Sequence, residues 1–141
     1  MPIRVVLADD SASVRDTLAE VLKRSQDIDL IATADDEPTL LAVIEETRPD
    51  VVITDVRMPP TGTDEGVRIA ERLARAHPDI GVVIVSQYSD PEWLSQVFDL
   101  GSENRGWVMK ERAHSKGQLI TAVETVHQGH RWIDPSVTAP D

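Results

Sequence analysis

The sequence contains no cysteine among its 141 residues. Disulfide frameworks and thiolate metal sites are therefore excluded. It also lacks clusters of positive charge, because 14 Lys and Arg residues are outnumbered by 25 Asp and Glu residues, for a formal net charge of −11. Since clustered Lys and Arg residues hold a nucleic-acid backbone, we do not expect this segment to bind nucleic acid by itself.

No signal peptide opens the chain, and no apolar run is long enough to span a membrane. These absences predict a soluble cytoplasmic protein without a membrane partner. The chain is long enough for one domain with a real core and too short for two. We expect that domain over residues 1–130, and we interpret residues 131–141, which include Pro135 and Pro140, as a linker.

Apolar stretches rich in β-branched residues alternate with patterns of period 3.6, which are typical of amphipathic helices. This alternation predicts a three-layer, doubly wound α/β domain with a five-stranded parallel sheet and right-handed crossovers. The expected strands cover residues 3–8, 29–34, 51–54, 82–85 and 106–109, and a helical pattern follows each of them.

Polar residues stand where four of these strands end: Asp9 with Asp10, then Asp55, Ser86 and Lys110. In a parallel sheet the carboxyl ends of the strands share one edge, where ligands bind. Three carboxylates at such short distances repel one another and raise their own pKa values unless a cation lies among them. A hard divalent ion with oxygen ligands, Mg²⁺ above all, answers that repulsion.

A metal with open positions for water and phosphate oxygens suits phosphoryl transfer. Asp55, on the central strand, is then the candidate nucleophile. Asp10 and Asp9 are expected to hold Mg²⁺, directly and through water. Lys110 and the Ser86 hydroxyl are expected to contact phosphate oxygens once an acyl phosphate has formed.

Each of these residues also has a simpler interpretation. An Asp pair at a strand end is often just a helix N-cap, Ser86 alone is a loop hydroxyl, and Lys110 alone is a solvated charge. Only their placement at successive strand ends favours a shared site.

Four segments together resemble the receiver domain of two-component response regulators in order and spacing. They are Asp9-Asp10, Asp55-x-x-Met58-Pro59, Ser86 and Trp107-x-x-Lys110, and the resemblance runs from Ile3 to about Gly129. The segments at residues 4–10 and 48–52 look like the NarL/LuxR-type subfamily, in which a helix-turn-helix DNA-binding domain follows a linker. This resemblance implies that the sequence stops where such an effector domain begins.

The resemblance implies a flavodoxin-like sheet of order 2-1-3-4-5. It also implies that Asp55 accepts a phosphoryl group from a sensor histidine kinase with Mg²⁺ and later loses it to water, without enzymatic turnover of other substrates. The backbone carbonyl of Arg57 becomes a metal ligand. Trp107 takes the place of the aromatic switch that turns inward as Ser86 moves toward the phosphoryl group. The implied output is transcription, through a homodimer formed on phosphorylation and DNA bound only by the effector domain.

The sequence departs from this family at several positions. Six residues, Pro60 to Glu65, separate Met58-Pro59 from Gly66, so the loop over the site is longer than usual. Lys110 is followed by Glu111 instead of proline, and Gln87 replaces a small residue beside Ser86.

Two other functions compete with the phosphorylation switch. One is a receiver that acts as a constitutive dimerisation or docking module, which the complete set of acids and Lys110 disfavours. The other is a phosphatase of the haloacid dehalogenase type, which needs a second Asp two residues after the nucleophile. That position is Arg57.

Overall fold

The structure, a computed structural model, describes residues 2–87, 90–99, 103–113 and 117–135. Helices and strands alternate as the sequence predicts, and the parallel sheet has the order β2-β1-β3-β4-β5-β6. The first five strands confirm the order 2-1-3-4-5. The elements are β1 (Ile3–Ala8), α1 (Ala12–Lys23), β2 (Ile28–Ala34), α2 (Glu37–Thr47), β3 (Val51–Asp55), α3 (Glu65–Ala76), β4 (Gly81–Ser86), α4 (Pro91–Phe98), β5 (Arg105–Met109), a 3₁₀ turn (Lys110–Arg112), α5 (Gln118–His127) and β6 (Trp132–Ile133).

The sheet lies between two helical layers, and alternate residues of each strand pack into opposite cores. In β4, Val82 and Ile84 face the core that α2, α3 and α4 cover, whereas Val83 and Val85 face the core that α1 and α5 cover. This period of two is the geometry of a strand buried on both faces. Over the described ranges, no helix combines the length and apolar character that a membrane span requires.

Ser11 precedes the first residue of helix α1, and its hydroxyl accepts a hydrogen bond from the Val14 amide. The N-cap is therefore Ser11. Asp9 instead accepts a hydrogen bond from the Ser11 amide through Oδ1. The simpler interpretation of Asp9 and Asp10 as cap residues thus does not describe how this helix starts.

The sheet has a sixth strand that the sequence did not predict. Trp132 and Ile133 pair in parallel with Gly106 and Trp107 of β5. Residues 132–134, interpreted above as part of a linker, are therefore attached to the sheet. A two-residue strand followed by Asp134 and a proline carries no periodic signal, so only its pairing with β5 reveals it.

Helix α3 packs unusually close to the end of β3. The ideal Cβ position of Gly66 lies 2.1 Å from the carbonyl oxygen of Asp55 and 2.9 Å from its carbonyl carbon. The Gly66 amide donates to the carbonyl of Val56. A glycine is needed here because backbone meets backbone, and the contact holds α3 against the strand end that carries Asp55.

The long loop before α3 is organised around a buried carboxylate, Glu65. Its side chain is fully buried and accepts hydrogen bonds from the Thr61 and Thr63 amides and from the Thr61 hydroxyl. Burial favours the neutral acid, but these hydrogen bonds outweigh it and lower the pKa of Glu65 to about 2. Arg68 lies 3.3 Å from the same carboxylate. The loop is thus tied to the first turn of α3.

We predict that Gly66→Ala destabilises the fold by about 3 kcal/mol, because the new methyl group meets backbone atoms that cannot move aside without displacing β3. Urea unfolding at constant slope measures the change in the free energy of unfolding. Arg72→Ala, on the exposed side of the same helix, is the control and should change stability by less than about 0.5 kcal/mol. Equal stability of the two variants would contradict this packing.

We predict that Glu65→Gln lowers the free energy of unfolding by about 3 kcal/mol at pH 7, since the folded state lowers the pKa of this carboxyl. A lowered pKa stabilises the fold above the ordinary pKa of 4.5, and that stabilisation is lost as the pH falls toward about 2. The difference between wild type and variant should therefore shrink on acidification. Urea unfolding from pH 7 to pH 3 measures it, with the exposed Glu46→Gln as control; a difference that does not depend on pH would be the contrary result.

Candidate functional site

The predicted site residues do meet at the carboxyl edge of the sheet. Asp9 follows β1, Asp55 ends β3, Ser86 ends β4 and Lys110 follows β5. Asp9 and Ser86 are almost fully buried, and the side chain of Asp55 is 12% exposed. Asp10 lies next to them and is exposed. Parallel strands thus assemble one polar cluster from residues far apart in the sequence.

Lys110 joins two of the acids. Its Nζ lies 2.8 Å from Asp55 Oδ2, to which it donates a hydrogen bond, and 3.1 Å from Asp9 Oδ2. The ammonium therefore links the ends of β1, β3 and β5. Charge-assisted contacts of this length between partly buried groups are strong, because little water screens them.

The cluster shifts the pKa values of its members. Burial raises the pKa of Asp55, the hydrogen bond and charge of Lys110 oppose this, and the charge of Asp9 adds to it. Burial also disfavours the charge on Lys110, but contacts with Asp55 and Asp9 outweigh it and raise the pKa of Lys110. One ammonium thus partly offsets two buried carboxylates, and the site retains an excess of negative charge.

The three acids offer a suitable set of ligands for a hard cation. One carboxylate oxygen from each of Asp9, Asp10 and Asp55 lies within 4.8 Å of the others. Asp9 Oδ2 is buried and makes no hydrogen bond in the described part of the chain, although Lys110 lies at ion-pair distance. Carboxylate oxygens whose negative charge is only partly compensated are suitable ligands for Mg²⁺. The predicted ligation by the backbone carbonyl of Arg57 stays a prediction.

A small cavity opens beside Asp55 on the side of β4. It is lined by Val56, Arg57, Ser86, Gln87 and Trp93 together with Asp55. The guanidinium of Arg57 lies 5.4 Å from the ring centroid of Trp93, at the distance of a cation–π contact. The sequence did not single out Trp93, since its position in the first turn of α4 carries no signal that it faces the site.

Trp107 is completely buried and packs with α3 and α4 in one of the two cores. Its indole Nε1 makes no hydrogen bond with any part of the chain that the structure describes. The structure thus places the predicted switch residue inside the protein, on the strand that leads to Lys110. Its movement stays a prediction.

The sequence also missed a buried acid, Asp134, which follows β6. It is fully buried, its amide donates to the Trp107 carbonyl, and its Oδ2 accepts from the Met109 amide 3.0 Å away. Only the attachment of β6 to β5 brings Asp134 into contact with Met109 and Arg112, on either side of Lys110, so no local pattern could have found it.

Known proteins resemble this chain in both sequence and fold. The family described as response regulator receiver domain matches residues 5–124. The oxygen regulatory protein NreC of Staphylococcus epidermidis is 33% identical over 136 residues, which are 96% of this chain and 60% of that protein. The chain therefore spans about three fifths of the length of this relative.

Two solved structures superpose closely. The isolated receiver domain of RcsB from Salmonella enterica serovar Typhimurium, determined with the phosphomimetic BeF₃⁻, gives a TM-score of 0.83 at 23% identity, covering 97% of this chain and 96% of that one. The signal receiver domain of NarL from Mycobacterium tuberculosis gives 0.79 at 26% identity, covering 92% of this chain and 98% of that one. With most of its length matched, this chain belongs to the receiver domains of two-component response regulators, of the NarL/LuxR type.

Proposed function

We propose that this chain is a phosphorylation-dependent switch in which Asp55 accepts a phosphoryl group from a phosphohistidine of a sensor histidine kinase. The observation that carries the proposal is the contact of Lys110 with both Asp55 and Asp9 at the carboxyl edge of the sheet. An ammonium already placed at the Asp55 carboxylate can compensate the negative charge of a phosphoryl group added there.

The geometry supports Asp55 as the nucleophile. It ends a fully buried strand, yet its side chain keeps 12% of its surface exposed, so one face can meet a donor. A carboxylate oxygen of Asp55 attacks phosphorus, the P–N bond of the phosphohistidine breaks, and the imidazole leaves with its electron pair. Water later cleaves the acyl phosphate and regenerates the carboxylate.

Lys110 acts on the charge that the transfer creates. Before transfer it pairs with Asp55 Oδ2, and afterwards the phosphoryl oxygens are the more negative partners within its reach. The buried Ser86, which lines the cavity beside Asp55, supplies a hydroxyl at the end of the neighbouring strand β4. Through Ser86 and Lys110, the new group can change the packing around β4 and β5.

Asp9, Asp10 and Asp55 would hold Mg²⁺, together with the backbone carbonyl of Arg57. The ion, when bound, supplies the positive charge that stabilises the transferring phosphoryl oxygens. Lys110 alone carries one positive charge against these three carboxylates. The residues therefore need a second cation for the transfer.

The partners follow from the relatives. NreC is named as a regulatory protein and is longer than this chain. A structure of two RcsB dimers bound to two DNAs also resembles this chain, with a TM-score of 0.81. We propose that phosphorylation favours a homodimer and that the output is transcription, with DNA bound by an effector domain outside residues 1–141.

A hydrolase acting on other substrates is disfavoured by Arg57. In that mechanism the residue two positions after the nucleophile donates a proton to the leaving group. A guanidinium does not release a proton at neutral pH, and that of Arg57 lies against the Trp93 ring. The site therefore has a nucleophile without the acid that repeated turnover needs.

We predict that incubation with a small acyl-phosphate donor and Mg²⁺ adds one phosphoryl group, and that Asp55→Asn abolishes the addition because the amide is not a nucleophile. Intact-mass measurement detects the product, and cleavage by hydroxylamine identifies an acyl phosphate. Asp29→Asn, an exposed acid on β2, should be labelled like wild type. Equal labelling of Asp55→Asn, or none of wild type, would sink the assignment.

We predict that Mg²⁺ binds the folded chain and that Asp10→Asn weakens binding by at least about tenfold, since one ligand carboxylate is lost. Isothermal titration calorimetry measures the affinity, and removal of the metal by a chelator should stop phosphoryl transfer. The exposed Asp35→Asn, at the end of β2 on the same sheet edge, is the control. Unchanged affinity in Asp10→Asn would show that the metal lies elsewhere.

A further inference from the structure

The buried acid Asp134 holds the end of the described chain to the end of β5. Its amide donates to the Trp107 carbonyl at 2.8 Å, Oδ2 accepts from the Met109 amide at 3.0 Å, and Oδ1 lies 3.1 Å from Arg112 Nε. The Asp134 side chain is fully buried, whereas that of Arg112 is 38% exposed. A buried carboxylate is tolerated only with such partners, so this geometry is strongly specified.

These contacts complete the edge of the sheet. Without β6, the outer edge of β5 would present unpaired backbone groups, which are costly when buried. The strand supplies only Trp132 and Ile133. At the next position the Asp134 carboxylate, in place of a backbone carbonyl, receives the Met109 amide. The ladder therefore continues one residue further by means of a side chain.

The partners of Asp134 bracket Lys110. Met109 precedes it, and Arg112 ends the 3₁₀ turn that Lys110 begins. The same short segment thus contacts Asp134 on one side and Asp9 with Asp55 on the other. Because Lys110 must redirect its ammonium when Asp55 becomes an acyl phosphate, the backbone position that Asp134 selects bears on the reaction.

A two-residue strand is an element that can open locally. Trp132 and Ile133 are only partly buried, and their polar groups can bind water when the strand leaves, so the free energy of opening is lower than that of global unfolding. The structure shows the attached arrangement. A change at Lys110 shifts the balance between this arrangement and a detached one by as much as its interactions with the two differ.

We propose that Asp134 is a positioning residue for Lys110, and that attachment of residues 132–134 to β5 and phosphorylation of Asp55 influence each other. This rests on the proposed function, since it requires phosphoryl transfer to Asp55. The influence is reciprocal by thermodynamic necessity for binding equilibria. A phosphomimetic at Asp55 changes the attachment of the segment, and loss of Asp134 changes the affinity for the phosphomimetic.

The test uses the full chain with three variants. Asp134→Ala removes the side-chain contacts with Met109 and Arg112. Asp134→Asn keeps an oxygen that can accept from the Met109 amide, and Arg112→Met removes the ion pair from its partly exposed partner. Asp79→Asn, which changes an exposed acid shortly before β4, is the control. Urea unfolding shows which variants fold. If Asp134→Ala does not fold, Arg112→Met tests the proposal in its place.

Two measurements separate positioning from a merely structural role. Affinity for BeF₃⁻ with Mg²⁺ should change by at least about fivefold in Asp134→Ala, less in Arg112→Met, and be largely restored in Asp134→Asn. In wild type, BeF₃⁻ should change amide hydrogen exchange at residues 131–134 and at Met109, a response that Asp134→Ala loses.

The outcomes are distinguishable. Wild-type chain that acquires no phosphoryl group from an acyl-phosphate donor overturns the proposed function and this inference with it. Wild type that is phosphorylated, with folded variants that bind BeF₃⁻ as tightly as the control and with no exchange response at residues 131–134, overturns the inference alone. A loss of stability without either change would likewise reduce Asp134 to a structural residue.

Discussion

The ion pairs of Lys110 with Asp55 and Asp9 are the contacts on which the rest of the site depends. They connect the ends of three strands, and they exist only because the sheet is parallel and places β3 between β1 and β4. Burial of two carboxylates is unfavourable unless a cation compensates it. The fold thus holds together a charge cluster that the isolated strands would not form, and its unsatisfied negative charge is what the proposed metal and phosphoryl chemistry use.

Close packing around β3 keeps that cluster in place. Gly66 lets α3 approach the Asp55 backbone, and Glu65 ties the long preceding loop to the same helix through Thr61 and Thr63. A loop of unusual length would otherwise leave the strand end loosely held. The additional residues are therefore held by hydrogen bonds to one buried carboxylate, and the end of β3 that carries Asp55 keeps its position.

The other side of the site is built on β5. Its inward residue Trp107 fills the core beneath α4, and its end leads directly into the turn of Lys110. Pairing with β6 and the contacts of Asp134 hold this strand from outside. One strand thus connects the ammonium of Lys110, a buried aromatic residue and the last segment that the structure describes.

The sequence by itself determined the alternation of strands and helices, the parallel sheet and the strand ends at which Asp9, Asp10, Asp55, Ser86 and Lys110 stand. These follow from local periodicity and from a general property of parallel sheets, so they need no coordinates. Tertiary structure alone decided the contact of Arg57 with Trp93, the hydrogen bonds that the preceding loop donates to Glu65, and the attachment of Asp134 to β5. Each of these joins side chains through three-dimensional packing, and a two-residue strand or a buried acid leaves no periodic trace in the chain.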